Sequence, residues 1–394
     1  MTPWMRTGPA RPIRSWMVAA GRLRRLGWCI LLHNPVSEAR GHGQWDTAVA
    51  SRNGRSELFC SKARTVATGR RRVRSELCDL VGIEVPIIQA GMSIFTSPAL
   101  AAAVSDAGAL GSLGAWNRPS EQLQRELGEL RDLTDHPFAV NHVVPDLNPD
   151  AFAVTLERAP AIVSFALDDA GTDLIERVHD AGSLVMQQIT TVDQAKIAVD
   201  HGADIIVAQG GEAGGYAGTV STLSLVPQVV DSVHPVPVVA AAGIADGRGV
   251  AAAVALGAAG VNIGSRFLAS TESPVGKRWK KALVTHPSQD WIQARFVNAM
   301  NPNPGTFGYR TQLRLLRTEF VERWEARADE VEIDPTPVLA ELNEAVTAGD
   351  REALLVVGGQ SAGLIRRIEP AGEIVRALVA ETRAALVASA QFEL

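Results

Sequence analysis

The stretch VPVVAAAGIADGRGVAAAVALGAAGVNIGSR, residues 236–266, decides the fold. An apolar run at 236–241 leads into a glycine-containing turn, an Ala-rich amphipathic segment follows at 247–256, and a second short apolar run occupies 260–263. Two buried strands joined by a helix are typical of a parallel sheet, because parallel neighbours need a long crossover connection. The stretch therefore predicts one strand–helix–strand unit.

The same unit recurs along the chain from Glu84 onward. Apolar runs predict eight strands, at 85–90, 109–113, 138–144, 161–166, 184–189, 204–208, 236–241 and 260–263. Amphipathic segments predict a helix after each strand, at 98–107, 121–133, 149–157, 172–180, 192–200, 223–233, 247–256 and 275–284. Eight such units within about 200 residues favour a (β/α)8 TIM barrel. The alternative is an open doubly wound sheet, which usually stops at five or six strands.

The two flanking segments have a different texture from the barrel. After Pro287 no strand is predicted, and helices are expected at 318–331, 335–348 and 371–389. We therefore expect a C-terminal helical appendage at 287–394 that closes the active site of a barrel at 73–286. Residues 1–72 keep no helical or strand period and are expected to be a mostly disordered basic extension. A targeting segment, a basic tail and an extension without function remain open for it.

Charge is distributed unevenly over the 394 residues. Residues 1–75 carry 15 Arg and Lys against three acidic residues, a net charge of +12, which leaves −17 for the rest of a chain whose total is −5. A body this acidic argues against nucleic-acid binding, which needs an excess of Lys and Arg on one face. The sequence thus favours a small-molecule substrate for the barrel.

Cysteine usage and hydropathy indicate the expected compartment. Three cysteines are too few for a disulfide framework, and no Cys/His group has the spacing of a zinc site, so no metal is expected. The longest apolar run near the start, residues 26–32, is too short to span a bilayer. We expect a cytoplasmic protein without membrane association, and a homo-oligomer is left open.

Polar and small residues follow several of the predicted strands, where a barrel carries its chemistry. The first strand runs into Gln89-Ala90-Gly91-Met92, whose small residues allow a flat ligand to approach the backbone. The third strand carries Asn141-His142 and the fifth Gln187-Gln188. Side-chain amides can hydrogen-bond the edge of a heteroaromatic ring without adding charge.

Glycines concentrate after the last three strands. The sixth strand ends in QGGEAGGYAG, residues 209–218, with five glycines in ten residues. Such a loop exposes backbone N–H groups to a ligand, although a plain flexible loop is the alternative. Gly243 follows the seventh strand, and Gly264-Ser265-Arg266 follow the eighth. These two positions commonly bind phosphate in barrel enzymes, with backbone N–H groups, the Ser265 hydroxyl and the Arg266 charge as donors; tight turns are the alternative.

Several long motifs occur together and in one order: PIIQAGM (86–92), AAAVSDAGALGSLGA (101–115), FAVN (138–141), AQGGEAGGYAG (208–218), AAGIADGRGVAAAVALGAAGVNIGSRFLAS (241–270) and GQSAGLI (359–365). On these motifs, residues from about Leu77 to Leu364 resemble the nitronate monooxygenase family, formerly called 2-nitropropane dioxygenases, which are FMN-containing (β/α)8 enzymes. The signature is also similar to that of FMN-dependent enoyl-acyl-carrier-protein reductases.

The resemblance implies a set of FMN-binding residues. Gln89, Ala90, Gly91 and Met92 would line the flavin ring, Asn141 and Gln187 would contact its polar edge, Gly243, Gly264 and Ser265 would hold the phosphate, Gly214 and Gly215 would border the reactive face, and Gln360 and Ser361 would close the site.

One position departs from the family pattern. Where the family has a histidine that serves as the catalytic acid or base after Glu-Ala-Gly-Gly, this chain has Tyr216. A free histidine titrates near pH ~6.5 and a free tyrosine near ~10, so Tyr216 is expected to donate a hydrogen bond rather than to accept a proton. Packing of Tyr216 without a chemical role is the alternative. His142 is the second candidate for proton transfer, although alternation along the strand turns it away from the face of Asn141.

The resemblance implies oxidation of alkyl nitronates with O₂ to a carbonyl compound and nitrite, and little activity on neutral nitroalkanes, which need a base. The alternatives are an NAD(P)H-dependent FMN reductase of enoyl thioesters and a flavin-binding barrel without catalysis. Because no P-loop and no G-x-G-x-x-G unit is present, a nicotinamide would bind only as a transient second substrate.

Overall fold

Alternating strands and helices wind into a barrel of eight parallel strands, which confirms the predicted fold class. The computed structural model of the chain describes residues 74–300 and 309–391, so the predicted basic extension lies outside the described residues. Neighbouring strands follow the order β1-β9-β8-β6-β5-β4-β3-β2. A parallel bridge between Ile88 and Leu110 joins β1 to β2, and there Gln89 N donates to Leu110 O at 2.9 Å.

The strands of the described residues are β1 (Ile87–Gln89), β2 (Gly111–Gly114), β3 (Phe138–Val143), β4 (Ile162–Ala166), β5 (Leu184–Ile189), β6 (Ile205–Gln209), β7 (Gly215–Ala217), β8 (Val238–Ala241), β9 (Gly260–Ile263), β10 (Trp291–Ala294) and β11 (Gln312–Leu316). The helices are α1 (Glu76–Val81), α2 (Pro98–Asp106), α3 (Ser120–Leu133), α4 (Pro149–Arg158), α5 (Gly171–Asp180), α6 (Val192–Asp200), α7 (Thr222–Val233), α8 (Gly247–Ala255), α9 (Ser265–Leu268), α10 (Lys277–Thr285), α11 (Arg295–Ala299), α12 (Glu319–Glu325), α13 (Ala328–Ile333), α14 (Thr336–Thr347), α15 (Arg351–Leu354) and α16 (Ala371–Ser389).

The barrel interior is apolar toward its amino-terminal end. Every second residue of a strand points inward, and these positions supply one buried cluster that includes Ile88, Leu110, Ala139, Ile162, Met186, Ile205, Val207 and Val239. Helix α1 closes this end because Leu77 and Cys78 pack into the same cluster and are fully buried. The lower barrel is therefore a packed core, and only its carboxyl-terminal rim has room for a ligand.

Side-chain caps fix where several barrel helices begin. The Asp246 carboxylate accepts from the N–H groups of Arg248 and Gly249 and starts α8 directly after the turn that follows β8. Thr191 and Gln194 form a capping box at the start of α6. Because each cap satisfies backbone donors that the first helical turn leaves open, the loop before the helix is held in place.

The segment after Pro287 contains strands that the sequence did not predict. β11 pairs antiparallel with β10 on one side and with β7, the strand inside the glycine-rich loop, on the other, which gives a three-stranded sheet. Each of these strands has three to five residues, too few for a period to stand out, and their partners are far apart in sequence. The rest of the segment is helical, with α16 packed along α8 of the barrel. Among the described residues, no helix is long and apolar enough to cross a membrane.

Candidate active site

A large cavity opens at the carboxyl-terminal rim of the barrel. Its volume is about 1150 Å³, and its walls come from the strand ends, the glycine-rich loop and the segment after Pro287. Enzymes of this fold place their sites at this rim, and a deep cavity lined mainly by apolar groups with a few polar ones is typical of a ligand site. Among the described residues, no three His, Cys, Asp or Glu side chains come together as a metal site would require.

Polar side chains form a ring just above the packed core. The ring comprises Ser112, Asn141, Ser164, Gln188, Gln209 and Asn262, each on a different barrel strand or directly at its end. Asn141 Nδ2 donates to Ser164 Oγ at 2.7 Å. The oxygens Gln209 Oε1 and Asn262 Oδ1 are buried and have no hydrogen-bond partner within residues 74–300 and 309–391. Since an unsatisfied buried oxygen costs about 1–3 kcal/mol, these two atoms point to a ligand that brings hydrogen-bond donors.

Small residues after β1 form the floor beside this ring. A Cβ atom on Gly91 would collide with Asn141 Cβ, so only glycine fits this position. The Gln89 side chain is fully buried between strands, where its Oε1 accepts from Ser112 N at 2.8 Å and its amide donates to Ala90 O. Gln89 thus joins β1 to β2 and also lines the cavity, together with Ala90, Gly91 and Met92.

The turns after β8 and β9 supply the positions expected to hold phosphate. Ala242 and Gly243 both have positive φ, +86° and +72°, and such a conformation is strained for alanine. Ser265 Oγ accepts from Gly359 N at 2.8 Å, and its own hydrogen is still able to donate. The expected charge of Arg266 is not at this position, because its guanidinium pairs with Glu369 and donates to Arg367 O, away from the cavity.

Tyr216 lies on β7 and lines the cavity with 5% of its surface exposed. The loop before it is held on both sides. The Glu212 carboxylate accepts from Thr222 N at 3.0 Å and from Thr222 Oγ1 at 2.9 Å at the start of α7. On the other side, Arg314 donates to the carbonyl oxygens of Gly211, Ala213 and Trp291 at 2.6–3.1 Å. Burial lowers the pKa of Arg314, and the nearby Glu212 carboxylate opposes that effect.

The loop after Val357 crosses the glycine-rich loop at close range. A Cβ atom on Gly214 would lie 2.5 Å from Gly358 C and Gly359 N, so the two backbones touch. Gln360 N donates to Glu212 O at 2.9 Å, and Ser361 borders the cavity. The Gln360 side chain is not part of the cavity wall, so its contribution is through the backbone.

The side chains of two predicted site residues lie on the helix side of their strands. Gln187 does not reach the cavity: its Nε2 donates to Asp168 O at 2.9 Å and its Oε1 accepts from Ala170 N at 3.2 Å, on the helix side of β5. The next residue, Gln188, faces the cavity instead. Because both faces of this buried strand are covered, the sequence carried no polar alternation that would reveal its register.

His142 is among the residues that border the cavity, but its ring lies on the helix side of its strand. Its side chain is 2% exposed, its Nε2 is 2.9 Å from Thr155 Oγ1 on α4, and its ring meets Phe152 edge to face. Burial lowers the pKa of His142 to about 3. The ring is therefore neutral and packed against a helix, which does not favour the role in proton transfer considered for it.

Sequence reasoning did not select the amides of Gln209 and Asn262 or the guanidinium of Arg314, and from the pair Gln187-Gln188 it selected Gln187. Gln209 was visible at the start of the glycine-rich motif, and Gln188 stood next to the residue selected. Asn262 lies within β9, inside a short apolar run, and an asparagine inside such a run is itself a signal of a ligand-facing position. Nothing near Arg314 in the sequence indicates its partners, which are 23 to 103 residues away in the chain and which only the fold brings close.

Comparison with known proteins decides the family. The family model described as "Nitronate monooxygenase" matches residues 74–154 and 149–381, nearly all of the described chain. The chain belongs to the nitronate monooxygenase family. A probable nitronate monooxygenase of Staphylococcus saprophyticus is 31% identical over 349 residues, which cover 75% of this chain and 94% of that protein. Membership in the nitronate monooxygenase family makes this protein a flavin-dependent oxidoreductase.

Other relatives of this nitronate monooxygenase family member carry different names. The (3aS,4S,5R,7aS)-5-hydroxy-7a-methyl-1-oxo-octahydro-1H-indene-4-carboxyl-CoA dehydrogenase of Rhodococcus jostii is 38% identical over 230 residues, but the match spans 58% of this chain and only 64% of that protein. The structure of FabK from Thermotoga maritima has a TM-score of 0.71 and 36% identity, and covers 81% of this chain and 99% of its own. Nitroalkane oxidase from Streptomyces ansochromogenes has a TM-score of 0.69 and 30% identity, and covers 79% and 99%.

Proposed function

We propose that FMN binds across the barrel rim and that the protein oxidises alkyl nitronates, consuming O₂ and releasing a carbonyl compound and nitrite. The observation that carries the proposal is Tyr216, a phenol that lines the cavity from β7, within the glycine-rich loop. A phenol is protonated at neutral pH and donates a hydrogen bond. A nitronate is already an anion and needs such a donor rather than a base.

The residues present fit FMN. Gln209 and Asn262 offer buried oxygens without partners, which suit the N–H group on the polar edge of an isoalloxazine. Ala90, Gly91 and Met92 leave a flat floor, and Gly243, Gly264 and Ser265 can donate hydrogen bonds to a phosphate. Gly214 and Gly215 border the same cavity beside Tyr216. Ser361 also borders it, from the loop at 358–361 that crosses the glycine-rich loop and is called the crossing loop below. When bound, FMN supplies the redox chemistry that side chains lack, by taking electrons from the substrate and passing them to O₂.

This chain's residues then have three tasks. Tyr216 orients the nitronate by donating to one of its oxygens. Arg314 and Glu212 hold the loop that carries Tyr216, since Arg314 donates to carbonyl oxygens within it and Glu212 ties it to Thr222 at the start of α7. The crossing loop at 358–361 covers the site and limits the access of water. A fixed donor in a water-poor site stabilises negative charge far more than the same donor does in water.

A second candidate is NAD(P)H-dependent reduction of an enoyl thioester. The observation that favours it is the size of the cavity, which exceeds what a small nitronate needs besides FMN. In that reaction Tyr216 would donate a proton after hydride transfer. A barrel that binds flavin without catalysis is the third possibility, and it predicts a coloured protein with an inert cofactor.

One experiment separates the three candidates. The purified protein is loaded with FMN and reductants are added anaerobically while the flavin absorbance is recorded. Rapid bleaching by a nitronate supports the proposal, rapid bleaching by NADH or NADPH supports the reductase, and no bleaching by either supports the inert barrel.

Substitution of Tyr216 tests its role directly. We expect Tyr216→Phe to lower kcat/KM for nitronates by about 100-fold. This is the usual loss when one hydrogen-bond donor that stabilises an anion in an active site is removed. Tyr216→His should add turnover of neutral nitroalkanes, because imidazole near pH ~7 can accept the carbon-bound proton. Unchanged rates in Tyr216→Phe would contradict the assigned role.

A further inference from the structure

The cavity has a part that FMN at the barrel rim does not account for. Beyond Tyr216 it continues between the small sheet and the C-terminal helices, where its walls are Val297, Met300, Leu313, Leu339, Leu342 and Leu355. We call these six residues the apolar lobe. They come from α11, β11, α14 and the segment after α15, all of which lie outside the barrel.

The apolar lobe begins next to Tyr216. Leu313 is the cross-strand partner of Tyr216 in the antiparallel pair of β11 and β7. Directly paired residues project from the same face of a sheet. Tyr216, Val297, Leu313, Leu342 and Leu355 also belong to one buried apolar cluster. A group in the apolar lobe would therefore be continuous with a reacting group held at Tyr216.

The chemistry of the apolar lobe selects against charged groups. Among the described residues that line the cavity, only Arg118 and Asp146 carry a formal charge at neutral pH, and both lie in loops after β2 and β3. Arg118 is already paired with Glu126 at 2.8 Å, and Asp146 accepts from Trp116 Nε1 at 3.3 Å. The apolar lobe itself consists of branched aliphatic side chains and one methionine, and the polar residue that α14 adds beside it is the neutral Asn343, so this part of the cavity offers no charge to a substituent.

The volume agrees with a large occupant. A pocket for one drug-sized ligand measures about 300–1,000 Å³, and this cavity reaches about 1150 Å³. Leu339 is only half-buried although it is apolar, and it faces the cavity, whereas Leu342 one turn later is 9% exposed and joins the core. A partly exposed leucine at the wall of an apolar cavity gains most from a ligand that covers it.

From this arrangement we infer that the apolar lobe binds a large hydrocarbon group of the substrate, with the reacting carbon beside Tyr216. This inference rests on the proposed function for the position of the reacting group. It narrows the substrate from alkyl nitronates in general to those with a long or bulky carbon skeleton. Straight aliphatic chains and compact alicyclic groups are both uncharged and apolar, as the walls of the apolar lobe require.

Calorimetric titration with unreactive alcohols tests the apolar lobe without turnover. The FMN-loaded protein is titrated with ethanol, butanol, hexanol, octanol and decanol, and with 1-adamantanol as the compact alicyclic probe. We expect the Kd to fall about fourfold for each added methylene, the fold-change that corresponds to about 0.8 kcal/mol. Tighter binding of octanol than of 1-adamantanol indicates a chain, and the reverse order indicates an alicyclic group. A Kd that does not depend on chain length overturns the inference.

Two variants at one position identify where the alcohols bind. Leu339→Trp should fill the apolar lobe and weaken octanol binding at least about tenfold, while the Kd for FMN stays unchanged. Leu339→Ala cannot clash and should weaken octanol binding by a smaller factor through lost contact. Leu386→Trp is the matched control, because Leu386 is 38% exposed on α16, outside the cavity. Equal octanol binding in the wild type and in both Leu339 variants overturns the assignment.

The outcome also separates this inference from the proposed function. If nitronates fail to bleach the flavin but octanol binding depends on Leu339, nitronate oxidation is contradicted and hydrocarbon binding in the apolar lobe is supported. If nitronates react at rates that do not depend on their chain length and the Kd of the alcohols does not depend on theirs, nitronate oxidation is supported and hydrocarbon binding in the apolar lobe is contradicted.

Discussion

Adjacent residues on a barrel strand have opposite environments, and this decides which side chains belong to the site. Asn141 lines the cavity, whereas His142 packs against Phe152 on α4. The same alternation separates Gln188 from Gln187. A shift of one residue therefore exchanges a ligand-facing amide for a structural one.

The buried His142 makes stability depend on pH. Burial lowers its pKa to about 3 in the folded protein, while an unfolded histidine titrates near ~6.5. Below pH ~6.5 the unfolded chain takes up a proton that the folded protein does not, so the stabilisation is complete above that pH and decreases as the pH falls toward 3. At pH ~5 the loss should be about 2 kcal/mol, measured by urea unfolding at several pH values.

A matched pair of variants isolates this contribution. His142→Gln keeps a polar group near Thr155 but cannot be protonated, so its unfolding free energy should fall less steeply between pH 7 and pH 5. His136→Gln changes an exposed side chain and should retain the slope of the wild type. Identical slopes in all three proteins would show that the acid sensitivity arises elsewhere.

At the scale of elements, the site depends on close approach between the floor after β1 and strand β3. Gly91→Ala places a methyl group against Asn141 Cβ and should impair FMN binding and destabilise the fold by about 1–3 kcal/mol. Gly128→Ala is the control within α3, where an added Cβ meets nothing within 4 Å. It should raise stability by about 0.5–1 kcal/mol, because alanine is the better helix former. Denaturant unfolding and FMN titration of both variants provide the comparison.

Arg314 connects the small sheet to the glycine-rich loop. Lysine has no fork of donors and cannot reach the carbonyl oxygens of Gly211, Ala213 and Trp291 together. We expect Arg314→Lys to lower the free energy of unfolding by about 2–4 kcal/mol, since buried carbonyl groups lose their donors. It should also lower kcat more than it raises KM, because Tyr216 loses its fixed position.

The control for this substitution is Arg376→Lys. Arg376 is 61% exposed and pairs with Glu373 within α16, so the stability of that variant should match the wild type. Chemical denaturation measures the change in the free energy of unfolding. Steady-state kinetics with the compound that bleaches the flavin, nitronate or NAD(P)H, measures the change in kcat. A stable Arg314→Lys protein with unchanged kcat would show that the loop holds its shape without this contact.

At the scale of the whole molecule, the cavity lies between two parts of the chain that fold around it. The barrel supplies the polar ring and β7, and the segment after Pro287 supplies β10 and β11 of the small sheet, the crossing loop and the apolar lobe. A ligand that touches both parts binds the folded state alone and must stabilise it.

FMN should therefore raise the unfolding temperature in proportion to its binding. At a concentration about 100 times its Kd, it should add about 2.7 kcal/mol to the free energy of unfolding. Riboflavin lacks the phosphate and should stabilise the protein much less if Gly243, Gly264 and Ser265 hold that group. Thermal unfolding with matched concentrations of the two compounds tests this, and equal shifts would contradict the phosphate assignment.

The sequence by itself determined the barrel, because eight apolar runs separated by amphipathic helices leave few other ways to bury both faces of a parallel sheet. Its motifs also located the turns around Gly91, Gly243 and Gly264, because glycines directly after apolar runs stand out in the sequence. The tertiary structure alone decided which amide of each pair faces the cavity, the pairing of β7 with β11, the contacts of Arg314 and the apolar lobe. These features depend on strand register and on contacts between distant segments, and no local pattern of residues encodes either.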